Sequence, residues 1–229
     1  MNNIKNVPVD QYPGKDIELK EVEVENERYY CITNPDRMEP FFMSIVSDSN
    51  HWMFISSNGG VSAGRKDSNN ALFPYYTDDK ITESFDVTGS KTIVQLRKDN
   101  RTVVWEPFSD RNIDMFRCSR NLYKNIYGNK VLFEEVNHDL ELTFRYQWNS
   151  SDKYGFVKKS YLINNGVNDA QLRFVDGIQN IMPQGVGADF QEIRSNLVDA
   201  YKKNELEAES GLGIYSLSAF IVDRAEPSE

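Results

Sequence analysis

The amino-acid sequence predicts a mainly all-β fold, a large antiparallel β-sandwich with one amphipathic helix. Three observations predict it. The segment "DLELTFRYQW" alternates strictly, with Leu140, Leu142, Phe144, Tyr146 and Trp148 separated by Glu141, Thr143, Arg145 and Gln147. Successive side chains of a strand point to opposite faces, so a period of two gathers all five large residues on one face. Short runs rich in β-branched and aromatic residues recur along the chain between Gly, Asn and Asp turn residues. That pattern belongs to strands joined by tight turns, not to alternating βαβ units. One segment alone carries apolar residues at helical spacing.

The strand candidates follow in order. They are "IELKEVEVE" from Ile17, "RYYCIT" from Arg28, "FMSIVS" from Phe42, "HWMFISS" from His51, "KTIVQLR" from Lys91 and "TVVWEPF" from Thr102. Next come "KVLFEEV" from Lys130, "DLELTFRYQW" from Asp139, "FVKKSYLI" from Phe156, "QLRFVDGI" from Gln171 and "IYSLSAFIV" from Ile214. Turns are expected at Glu25-Asn26-Glu27, Gly89-Ser90, Asp99-Asn100, Gly128-Asn129, Asn137-His138 and Asn165-Gly166. The helix is expected near 189–207, with Phe190, Ile193, Leu197, Val198 and Tyr201 on the face that packs against the sandwich. Asp189 and Glu192 read as a capping box, and Gly211 as the stop.

With 229 residues, the chain is long enough for a single sizeable domain spanning 1–229. Its net charge of −9 and lack of a basic block speak against nucleic acid or an anionic membrane as partner. The first residues lack the apolar stretch of a signal peptide, and no run is long enough to span a membrane, so the cytoplasm is the expected compartment. Cys31 and Cys118 have no metal-ligand spacing and read as free thiols. No metal or organic cofactor is expected.

Catalytic signatures are missing. The chain has no P-loop, no dinucleotide fingerprint and no G-x-S-x-G turn. Its two histidines, His51 and His138, sit in strand and turn contexts. A mutarotase-like reaction, which needs a histidine and a carboxylate converging on a sugar, is the lesser alternative. The stretch from Ser56 to Asp79 is the distinctive one and reads as a single long loop. It combines Asn58, Arg65, Asp67, Asn69, Asn70 and Asp78 with Tyr75 and Tyr76, behind Gly59 and Gly60. Planar polar groups and flat rings are what sugar hydroxyls and C–H faces require, and paired glycines permit positive φ or close backbone approach. Leu72 and Phe73 are the expected anchors of the stretch. A domain-interface role fits the same residues.

Ordered elements in this region carry a resemblance. They are Tyr30 to Asp36, Pro40-Phe41, Gly59-Gly60-Val61-Ser62, and Asn70-Ala71-Leu72-Phe73-Pro74-Tyr75-Tyr76-Thr77-Asp78. In that order they resemble the N-terminal region of the cellobiose- and chitobiose-phosphorylase family, including the phosphorylase-like region of cyclic β-1,2-glucan synthases. Phe41 and Tyr75 stand where the family usually has Trp. The resemblance implies a sandwich of the galactose-mutarotase-like supersandwich type. It also implies a non-catalytic N-terminal domain that supports a downstream (α/α)6 catalytic barrel, takes part in homodimerisation, and lends a loop to an oligosaccharide or glucoside site. In such enzymes the barrel supplies the general acid and inorganic phosphate is the co-substrate. No catalytic residue is therefore assigned to this chain. A free-standing carbohydrate-binding module is the main alternative.

Overall fold

A computed structural model describes residues 16–98, 101–112 and 115–218. Beyond them lie residues 1–15, the predicted turn at Asp99-Asn100, and the end of the last predicted strand after Ser218.

The chain opens with β1 (Leu19–Val24) and β2 (Glu27–Thr33), joined at Glu25 and Asn26, both with positive φ. This pairing of left-handed residues matches the right-handed twist of the flanking strands. Then follow β3 (Phe42–Ile45), β4 (His51–Ser56), β5 (Val61–Arg65) and β6 (Ala71–Phe73), the short helix α1 (Asp78–Glu83), β7 (Gly89–Lys98) and β8 (Arg101–Trp105). Next are β9 (Cys118–Asn125), β10 (Lys130–Asn137), β11 (Leu142–Ser151), β12 (Gly155–Asn164) and β13 (Leu172–Gln179). The helix α2 (Ala188–Tyr201) and the hairpin β14 (Lys202–Glu207) and β15 (Leu212–Leu217) complete the series.

Every strand pairing is antiparallel. A six-stranded sheet runs β1-β2-β9-β10-β11-β12. It faces a four-stranded sheet, β3-β4-β5-β6, and a three-stranded sheet, β13-β7-β8. One apolar cluster joins the three: Val131, Phe133, Leu142, Phe144, Tyr146 and Trp148 from the large sheet, Met53, Ile55, Val61 and Phe73 from the second, and Val94, Leu96 and Trp105 from the third. The fold is the expected β-sandwich. The alternating face of "DLELTFRYQW" is buried at all five positions, although the strand itself begins only at Leu142. Asn137 Oδ1 accepts from the backbone N–H groups of Asp139 and Leu140 and folds that stretch into a turn.

The opposite face of the large sheet carries a smaller cluster. Tyr29, Cys31, Tyr123 and Leu132 are buried there, with Val22 and Val24 of the neighbouring β1 packed beside them. Buried Glu134 pairs with Arg145 and accepts hydrogen bonds from Asn121 and Tyr123. Both cysteines are free. Burial pushes the Cys31 thiol up to about 11 and the Cys118 thiol up to about 12.

Five expectations need correction. The segment from Ser56 to Asp79 is not one long loop, because β5, β6 and α1 lie within it. Val61, Ser62, Ala63 and Gly64 are buried on both faces, so small residues replace the alternation that marks a half-buried strand. Gly89-Ser90 opens β7 rather than forming a turn. Gly89 has φ +99°, and a Cβ there would stand 2.6 Å from Val61 Cγ1.

The long helix is shorter than expected, ending at Tyr201; residues 202–207 pair with 212–217 as a hairpin. Gly211 turns that hairpin, with φ +71°, and does not stop a helix. Finally, Gly187 rather than Asp189 caps α2, and a non-helical Arg194 (φ −133°, ψ 36°) kinks it. The kink breaks the 3.6-residue phase of the apolar face. Phe190 and Val198 pack with Met182, Val186 and Leu217, while Ile193 stays 77% exposed.

Candidate functional site

A groove of about 790 Å³ lies between the β4–β6 edge, the β11–β12 turn and the segment 182–186. His51 opens β4 on the side chain face shared with Met53 and Ile55, so it is buried at the end of the core. Its ring meets Phe156 edge-on at 5.1 Å. Nδ1 lies 2.5 Å from Ser49 Oγ, and buried Nε2 has no hydrogen-bond partner. Arg65 is the direct cross-strand partner of His51, and its Nε donates to Asn50 Oδ1. Lys66 follows in the left-handed region at φ +61°, and its N–H donates to Asn50 O at 2.8 Å.

Asp67 then organises a single 3-10 turn. Its Oδ1 accepts from Asn69 N at 3.0 Å and from Asn70 Nδ2 at 2.7 Å. This is the local side chain to backbone bond that makes Asp a turn initiator. Asn69 Oδ1 in turn accepts from Ala188 N, an orphan donor at the start of α2. Met182 N donates to Leu72 O at 2.8 Å and fixes the far wall to β6. The third wall is the turn Asp152, Lys153, Tyr154 and Gly155, where Lys153 Nζ sits 5.1 Å from the Tyr154 ring centre.

The structure divides the residues picked from the sequence. Arg65, Asn69 and Asn70 line the groove. Asn58 and Gly59 lie elsewhere, beside Phe108 and Tyr146. The Asn58 amide is used internally, with Oδ1 accepting from Ser56 Oγ and Nδ2 donating to Thr82 O. Gly59 has φ +100°, and a Cβ at Gly60 would stand 1.9 Å from Ile81 O, so this turn is pressed against α1. Tyr75 stands edge-on to Trp52 at 5.5 Å, Tyr76 lies under Lys80, and Asp78 begins α1. Pro35, Asp36, Pro40 and Asn58, all within or beside the motif elements, meet around a second cavity of about 210 Å³ that also holds Arg120.

Lys66, Asp152, Lys153, Tyr154 and Gln184 were not picked from the sequence, and His51 only for the mutarotase alternative. "SDKYG" between two strands signals a hairpin tip, but nothing local says which surface that tip faces. Together the groove offers amide, guanidinium, carboxylate and phenol groups plus one buried imidazole nitrogen. Such a set suits a polyhydroxylated ligand. Among the described residues no group of three or more His, Cys, Asp or Glu is placed to hold a metal ion, and no helix is long and apolar enough to cross a membrane.

The two groove asparagines should separate in mutants. Asn69→Ala removes the bond to the start of α2 and is expected to cost about 0.5–2 kcal/mol, the range for a lost helix cap. Asn70→Ala alters an exposed group and should stay within about 0.5 kcal/mol, whereas Tyr76→Ala truncates a half-buried ring and should cost about 1 kcal/mol. Urea denaturation of the three variants measures the difference.

Compared with protein-family models and with curated proteins, the chain matches none.

Proposed function

We propose that this chain is a non-catalytic, carbohydrate-binding sandwich domain of a glycoside phosphorylase-like enzyme. A downstream (α/α)6 barrel would supply the general acid, inorganic phosphate would be the co-substrate, and a homodimer would be the working assembly. The groove carries this reading: it draws Arg65, Asn69 and Asn70 from the motif-bearing stretch to one wall and sets Tyr154 and Gln184 across from them. The antiparallel sandwich and the ordered elements from Tyr30 to Asp78 support it.

The test uses the purified 229-residue chain. Saturable binding of an oligosaccharide, with NMR shifts at Asn69, Asn70 and Tyr154, is the expected result, together with no release of sugar phosphate from β-linked disaccharides. Phosphorolysis by the homogeneous chain would overturn the non-catalytic assignment. The coding sequence after Glu229 separates an enzyme domain from a free-standing binding module: a barrel supports the former, a stop codon the latter.

One observation favours a second reading. His51 and Asp152 line the same groove, the residue pair a mutarotase-like reaction needs. Anomer interconversion by the chain, lost in His51→Gln, would establish it.

A further inference from the structure

We propose that the groove takes the anionic group of a charged carbohydrate, a carboxylate or a phosphate ester, an inference that rests on the carbohydrate reading above. The chain is strongly acidic, yet its groove is not. Arg65, Lys66, Lys153 and His51 line it against the single carboxylate of Asp152. Many cations outside the groove are held by acids, such as Lys91 by Asp86 and Glu106, Arg120 by Glu135, Arg145 by Glu134 and Lys158 by Asp176, while isolated ones such as Lys20 and Lys124 are not gathered around a cavity. Among the described residues no carboxylate pairs with Arg65, Lys66 or Lys153. In a chain with 35 acidic residues, three neighbouring cations left without such partners form a local field that attracts an anion.

The buried histidine supplies an independent observation. When the Ser49 hydroxyl donates to Nδ1, the ring proton resides on Nε2, which has no acceptor in the fold. A buried donor without a partner is costly, and an anionic oxygen satisfies it with a charge-assisted bond. The nitrogen lies against Gly155, where an added Cβ would stand in contact at 3.8 Å, so a ligand oxygen reaches it by displacing the Asp152–Gly155 turn slightly. Arg65 already spends Nε on Asn50, which orients its guanidinium while its terminal amino groups stay available. A neutral sugar hydroxyl would satisfy Nε2 but would leave the three cations unused.

The experiment titrates the 229-residue chain with glucuronate, glucose 6-phosphate and glucose, by NMR and calorimetry, at about 50 and about 300 mM salt. At least one charged sugar should bind about tenfold or more tightly than glucose and weaken as salt rises. Glucuronate alone would identify a carboxylate, glucose 6-phosphate alone a phosphate ester, and either result supports the proposal. Lys153→Gln and Lys66→Gln, both at exposed positions, should each weaken the charged ligand about three- to tenfold with unchanged Tm. His51→Gln should weaken it further. Equal binding of glucose, without salt dependence, would overturn the anionic site and leave the carbohydrate reading standing. No binding of any sugar would overturn both.

Discussion

Trp148→Ala is expected to lower the free energy of unfolding by about 3–5 kcal/mol, the range for truncating a buried aromatic side chain. Trp148 is 2% exposed and lies where the large sheet meets the four-stranded one. Its ring stands edge-on to Phe73 at 5.9 Å with an interplanar angle of 82°. Phe73 is itself fully buried and is the anchor by which β6 joins the core. Phe73→Ala should therefore cost a similar amount, and the double variant should lose less than the sum, because one cavity relieves the other. Trp148→Phe should cost much less than Trp148→Ala. It keeps a ring in the seam and removes an indole N–H that has no hydrogen-bond partner. Urea denaturation with a lower midpoint and unchanged slope checks all four variants. A loss under about 1 kcal/mol for Trp148→Ala would mean that the two sheets do not close over this residue.

The same residues show how far a sequence can be read. Strict alternation from Leu140 to Trp148 has one solution, because slipping the register by one residue would send every large side chain to the wrong face. That strand, and the fold class it anchors, was legible. β9 was not, because its sequence "CSRNLYKN" is largely polar. Arg120 and Asn121 lie in it as partners of Glu135 and Glu134, and such pairing appears only when β10 is beside it. β14 reads as a continuation of a helix because Lys, Glu and Leu suit helices, and only pairing with β15 makes it a strand. The candidate site was half legible. Arg65, Asn69 and Asn70 stood out by their polar chemistry, whereas the wall formed by Asp152 to Gly155 lies more than eighty residues away in sequence. Gly59 and Gly60 were read as permitting positive φ or close backbone approach; the groups that approach them are the Tyr146 hydroxyl and α1.

Glu135→Ala should be the second severe variant, again by about 3–5 kcal/mol, and for a different reason. Glu135 is 2% exposed on the core face of β10. Its Oε1 accepts from Trp105 Nε1 at 2.9 Å; its Oε2 accepts from Phe108 N at 2.9 Å and from Arg120 Nε at 2.8 Å. One carboxylate thus ties β8, the turn after it and β9 to β10. Removing it leaves a largely buried guanidinium with the longer contact to exposed Asp110 at 3.8 Å, and strands an indole N–H and a backbone N–H. Breaking a buried ion pair from one side costs about this much, since the remaining charge stays desolvated. Phe108 adds to the penalty. It holds φ +65°, unfavourable for a bulky side chain, and its ring packs edge-on against Phe133 and Tyr146. Without the bond to Glu135, the backbone of that strained residue is held through its ring contacts alone. Glu135→Gln keeps an acceptor oxygen but turns an amide N–H₂ toward donors, so it should fall between wild type and Ala. Arg120→Ala combined with Glu135→Ala should be milder than Glu135→Ala alone, because no unpaired charge then remains. If the double variant is instead as unstable as the two losses added, the cost lies in lost packing around Phe108 rather than in the stranded cation.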